Sequence, residues 1–249
     1  MKKYFTLIIT LILPSFFLIK VLRILGYKVG RNVRIGFSIL KLDNLILGDN
    51  TKIGHFNLIL INSLKIKENG SIKNLNIFKG PFDFEIESKG RVANKNYVSR
   101  APLGVTFDYA KFVIGYNSNI TSNHFIDLTQ SVTLGDNTVL GGRNSQIWTH
   151  GYIHKESGDE RFRVDGSVEI GNNVYLGSMV LINPGVVIHD AISIGSGSVV
   201  SKKLVEKGMY VNTPLRFLHQ DFELLKNNLE KVQNKNLVEN VYIKNSSKN

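Results

Sequence analysis

The chain has 249 residues, 43% of them hydrophobic, enough to bury one large core. It holds no Cys, which excludes disulfides and Cys-ligated metals. A formal net charge of +11 points to an anionic partner, whether nucleic acid, a membrane surface or a phosphorylated ligand.

Residues 4–19, "YFTLIITLILPSFFLI", carry no charge. As one helix they would reach roughly 24 Å, short of the ~30 Å hydrocarbon core of a bilayer. Pro14 interrupts the run, since it lacks an N–H and clashes with the preceding turn. Lys2 and Lys3 precede it, and Lys20, Arg23, Lys28, Arg31 and Arg34 follow, so both flanks are basic. We read 1–28 as a membrane-associated helical segment at the inner membrane, dipping into one leaflet with both ends cytoplasmic. A secretory signal and a spanning anchor are the rival readings. No small-residue cleavage site follows, because the chain continues "KVLRILGYKVG".

From there the apolar residues keep a spacing of six. Leu47, Ile53 and Ile59 form one run, Ile66, Ile72 and Phe78 a second, and Ile86, Val92 and Val98 a third. Ile114, Ile120 and Ile126 follow, then Leu134 and Leu140. The longest run is Ile170, Leu176, Ile182, Ile188, Ile194 and Val200. On a helix, residues six apart sit about 240° apart and make no single face. A plain strand would need apolar residues at the intermediate positions as well. A coil with three flat sides, each sending one aliphatic inward, accounts for the period. Gly, Asn and Asp at "GDN" 48–50 and 135–137 and "GNN" 171–173 supply corners, since they tolerate positive φ. The fold class is therefore all-β, a parallel β-helix over 29–212 whose coils bury a core only by stacking.

The rhythm stops after Ile147 and resumes at Ile170. The stretch between, "SQIWTHGYIHKESGDERFRVDG" at 145–166, is polar but holds Trp148 and Tyr152, which are expected to pack. It reads as a loop over 148–166 projecting from an ordered base, and such insertions line a working face. Trp148 and Tyr152 are candidate substrate contacts. His150 and His154 have no acidic or Cys partner at a metal-ligand spacing, so no metal is expected. Past Pro214, the residues Phe217, Leu218, Phe222, Leu225 and Leu229 make a helical stripe. Residues 213–249 are read as a C-terminal helix that packs back on the coils, with a mobile tail "KNSSKN".

The hexad runs, and above all "VEIGNNVYLGSMVLINPGVVIHDAISIGSGSVVSKK" at 168–203, resemble the hexapeptide-repeat acyltransferases, in particular the galactoside and maltose O-acetyltransferases and the acetyltransferases of polysaccharide biosynthesis. The resemblance covers roughly 113–215; the first half matches by period alone. It implies a left-handed β-helix and an acetyl-CoA-dependent O-acetyltransferase acting on a sugar hydroxyl, in surface polysaccharide biosynthesis. The "TH" at 149–150 stands where that group carries its catalytic His, so His150 would be the general base. In "TSNHFID", Asn123 would bind the acceptor, and Asp127 would hold the imidazole. Asp127 reads equally as a turn residue bonding its own backbone. Ser178, Ser196, Ser201 and Lys202 match contacts to the acyl donor, with Lys202 or Lys203 facing a phosphate. Two departures stand out: the family's "W-I-G" reads "YLG" at 175–177, and its terminal "G-x-P" becomes "MYVNTPLRF" at 209–217.

The resemblance also implies a homotrimer with the active site between neighbouring copies. With the basic N-terminus, it points to a lipid-linked saccharide acceptor at the inner leaflet. An N-acyltransferase acting on an amino sugar and a non-catalytic membrane-anchored scaffold are the alternatives. Nucleic acid is not expected, since the basic residues are not interleaved with aromatics as a stacking platform requires.

Overall fold

A computed structural model describes residues 2–211, 222–235, 237 and 240–244. Among these, three parallel sheets of eight, nine and eight strands form the three sides of a β-helix. Strands are two to five residues long, and each pairs with the strand one coil before and one coil after. Most coil strands turn one apolar side chain inward, and longer ones such as Phe82–Ile86 turn three. Leu47, Ile66, Ile86, Ile114, Leu134, Ile170 and Ile188 stack on the first side, all but sealed from solvent. Equivalent columns run through Ile53, Ile72 and Val92 on the second side and Ile59, Phe78 and Val98 on the third. Each such side chain contributes roughly 1.5–3 kcal/mol by leaving water.

The register explains why the six-residue rhythm is whole near the C-terminus and broken earlier. Ile170 pairs with Ile188, eighteen residues on, so three sixes close a coil. Ile66 pairs with Ile86, twenty residues on, and the surplus is absorbed between sides. Asn50, Asn137 and Asn173 take positive φ of 61°, 53° and 55° at one corner. These are the third residues of the "GDN" and "GNN" stretches.

The uncharged N-terminal run is two helices, α1 (Lys2–Ile12) and α2 (Ser15–Ile24), separated at Pro14. No described helix is long and apolar enough to cross a membrane. The helices close the open end of the β-helix. Ile9, Leu18 and Leu22 are buried against the first coil. The backbone N–H groups of Ser38 and Leu40 donate to the Thr10 carbonyl and hydroxyl, and that of Ile35 to Ser15 Oγ. A sheet end would otherwise present unpaired N–H groups to solvent. Part of the apolar run thus serves as a cap, which the uninterrupted hydropathy concealed.

The projecting segment is a hairpin, His150–His154 antiparallel to Arg161–Asp165. Its second strand pairs with Val241–Ile243, which pairs in turn with Glu230–Lys231. A short helix, α3 (Phe222–Asn227), precedes that return. Pro214, Phe217 and Leu218 and the tail 245–249 lie outside the described residues. Lys244, read from sequence as the start of a loose tail, is half-buried and donates to the Pro184 carbonyl at 3.1 Å.

Candidate functional site

The site forms where the third side of the coil stack gives way to the hairpin. Phe125–Asp127 and Gln146–Ile147 are parallel neighbours in that side. Asp127 and Thr149 therefore leave the stack at the same corner, one coil apart, and His150 begins the hairpin beside them. The His150 Nδ1–H donates to Asp127 Oδ2 at 2.9 Å, with Thr129 Oγ1 3.0 Å from the same nitrogen. Asp127 Oδ2 also accepts Thr149 Oγ1 at 2.6 Å and the Thr149 N–H at 3.1 Å, while Oδ1 accepts Thr129 Oγ1 at 3.1 Å. Thr149 Oγ1 in turn accepts the Gln130 N–H at 2.9 Å. The carboxylate is thus held in place by donors from two coils, and no torsion is left free.

The electrostatics follow from this cage. Burial alone would push the Asp127 carboxyl up, but the imidazole and the Thr149 donors outweigh it and hold Asp127 below the usual carboxylate range. Burial likewise opposes a charged His150, yet the hydrogen bond and charge of Asp127 raise it above the usual imidazole value. A second carboxylate, Asp165, stands opposite His150 on the second hairpin strand, in a bidentate pair with Arg163 at 2.8 and 3.1 Å. Both residues are fully buried. Desolvation raises Asp165 in spite of the guanidinium.

His150 lines a cavity of about 1260 Å³. Trp148 and Tyr152 line it too, their rings 5.7 and 6.1 Å from the imidazole and edge-on to it. Ser201, Lys202 and Lys203 come from the last coils, and Asn228, Leu229 and Lys244 from the C-terminal return. Among the described residues three lysines and no carboxylate line this space, so it fits a phosphorylated ligand. Burial holds Lys244 below the usual ammonium range.

Three residues matched by resemblance are not at this cavity. Asn123 takes a positive φ of 70° at the opposite end of its strand, where its Nδ2 donates to Asn144 Oδ1 at 2.7 Å. It is a corner residue, and Asn suits both a corner and an acceptor site. Ser178 and Ser196 lie at that same far corner on successive coils, the Ser178 N–H donating to Ser196 Oγ at 3.1 Å. One chain therefore unites His150 with Ser201 and Lys202 but not with Ser178 and Ser196. Nor does His124 join the site. It is buried in a corner ladder, accepting the Ser145 N–H on Nδ1, and burial lowers it to about 4. His154 is exposed at the end of its hairpin strand.

Sequence reading missed five contributors. Thr129 and Thr149 cage the carboxylate, and the "DLT" and "TH" adjacency carried that hint, since a hydroxyl beside each acidic or basic group invites such a cage. Lys244 and the Arg163–Asp165 pair had no local cue.

No protein-family model matches the chain. Galactoside O-acetyltransferase of Escherichia coli is 33% identical over 117 residues, 47% of this chain and 58% of that protein. The solved maltose O-acetyltransferase of Clostridium difficile is 30% identical, covering 42% of this chain and 56% of that one, at a TM-score of 0.37. A hexapeptide-repeat acetyltransferase of Vibrio cholerae, solved with acetyl coenzyme A, is 24% identical over 43% of this chain and 59% of its own, at a TM-score of 0.38. The chain spans somewhat more than half the length of these relatives. In sequence, then, this β-helical chain is similar to the hexapeptide-repeat acetyltransferases.

Proposed function

We propose that the chain transfers an acetyl group from acetyl-CoA to a sugar hydroxyl, with His150 as general base. The observation that carries this reading is the His150–Asp127 pair: its Nδ1 is occupied by a caged carboxylate, and no protein partner takes Nε2 among the described residues. Nε2 would accept the hydroxyl proton while the sugar oxygen attacks the thioester carbonyl. As the tetrahedral adduct collapses, the C–S bond breaks and the thiolate takes the proton back from the imidazolium. Asp127 fixes the tautomer and stabilises the imidazolium between these steps. A base so placed contributes about 10²–10⁴ in rate, and alignment of the two substrates contributes at least as much.

Lys202 and Lys203 would face the phosphates of the donor, and Trp148 and Tyr152 the apolar faces of the acceptor. Because Ser178 and Ser196 sit a full side away from His150, the donor arm would reach them on a neighbouring copy, in a homotrimer wound as left-handed coils. The acceptor would be a surface polysaccharide or its lipid-linked precursor. The deciding experiment is release of free thiol from acetyl-CoA with a panel of sugars and amino sugars, beside His150→Ala. Transfer undiminished in that variant removes His150 from the mechanism. Transfer confined to amines replaces the reading with N-acylation, and no CoA binding at all replaces it with a scaffold.

A further inference from the structure

The two N-terminal helices spend only one face on the first coil. Their outward face holds Phe5, Ile8, Ile12, Phe16 and Phe17, each 49–66% exposed. A contiguous apolar surface of this kind marks an interaction site. The charge around it is mostly basic, although Asp43 pairs with Lys3 of α1 at 3.1 Å. The first acidic residue of the chain is Asp43, whereas Lys20, Arg23 and Lys28 are exposed beside the helices.

The cationic surface continues onto the coils. A groove of about 1130 Å³ runs from the Leu13–Pro14–Ser15 link down the second side of the β-helix. Arg34, Lys52, Lys73 and Arg91 line it, and among the described residues no carboxylate does. Arg34 and Lys52 are register partners on adjacent strands, as are Ser71 and Arg91. None of these four cations makes an ion pair among the described residues. The first side of the same coils differs: there Glu85 sits between Lys65 and Lys111 at 2.6 Å from each, and Lys67 meets Glu87 at 2.6 Å. Stacked like charges are destabilising, and one side neutralises them while the other does not. An unneutralised ladder that opens at an exposed apolar edge matches an amphiphilic surface with anionic heads.

We propose that the capping helices and this groove bind the surface of an anionic bilayer. Phe16, Phe17 and Ile12 enter the acyl boundary, and the cation ladder takes lipid phosphates. α1 and α2, each about three turns, lie in the interface plane and do not span it. The proposal is independent of the acyl-transfer reading.

The test is co-sedimentation of the full chain with vesicles of phosphatidylcholine alone and with about a third phosphatidylglycerol. Binding is expected to the anionic vesicles only, released by salt and unaffected by millimolar glycerol phosphate. Lys52→Ala with Arg91→Ala is expected to weaken it at least tenfold, at about fivefold for each cation near the surface. Phe16→Ser with Phe17→Ser is expected to abolish it with the melting temperature unchanged. Equal binding to both vesicles, no binding to either, or full retention in either double variant overturns the proposal. Displacement by glycerol phosphate overturns it in favour of a soluble phosphate ligand. If Phe16→Ser with Phe17→Ser instead dissociates an oligomer that never bound vesicles, the face belongs to a second copy and the proposal fails.

Discussion

Replacing Asp127 with Asn tests the site most directly, because the cage accommodates the change. The Asn carbonyl can keep the place of Oδ2, accepting from Thr149 and the imidazole, while its amide donates to Thr129 Oγ1 where Oδ1 accepted before. Shape survives and the charge goes. The imidazole keeps a neutral acceptor but loses the carboxylate charge, so burial is opposed by less and the His150 pKa falls. Transfer needs neutral imidazole, so activity in the parent rises with pH through a value above that of free imidazole. In Asp127→Asn the rising limb moves to lower pH. The plateau falls by about two orders of magnitude, since a less basic and less constrained base transfers the proton more slowly. Thiol release from acetyl-CoA measured from pH 5 to 9 reads both quantities. A limb that stays in place in a folded Asp127→Asn protein refutes the coupling and with it the assigned roles.

Other expectations follow from single contacts. His124, lowered to about 4 when folded and near 6.5 when unfolded, binds fewer protons in the native state, so stability falls as pH drops below 6.5. Between pH 6.5 and 5 the loss is about 1.5–2 kcal/mol in urea titrations, and His124→Asn, which extends the Asn96 ladder below it, flattens that slope. Ile182→Ala empties a fully buried position in the column and costs about 2–5 kcal/mol, read as a lower thermal midpoint. Gly142→Ala meets both a φ of 62° and the Ser178 side chain, and destabilises by about 1–2 kcal/mol from the backbone alone. Lys202→Ala raises the KM for acetyl-CoA about fivefold with kcat kept, the worth of one exposed phosphate pair.

Legibility in the sequence tracked how local the physics was. One inward aliphatic per side repeats within six residues, so the coils could be read wherever eighteen residues closed a turn. Where twenty were needed, as from Ile66 to Ile86, the same geometry looked like fragments. The hairpin announced itself by loss of rhythm, whereas His150 and Asp127 came from the resemblance to the acetyltransferases. Asn123 lies at a left-handed corner away from His150 of its own chain, and a small amide suits such a corner as well as it suits an acceptor contact. The N-terminal run was legible only in part: hydropathy counts apolar residues, and only packing separates Leu18 and Leu22, which seal the coil end, from Phe16 and Phe17, which do not. Lys244 and Val241–Ile243 were invisible because their partners lie far back in the chain, and three residues of strand carry no period of their own.

That last pairing has a bearing on how the molecule comes into being. Coils can stack one upon another as they leave the ribosome, each on a finished predecessor. The hairpin cannot, because its outer edge waits for a strand synthesised after every coil is in place. The reactive corner is thus completed only after the coils have been made, and a nascent chain stalled short of Val241 would hold the stacked coils with its working face still open.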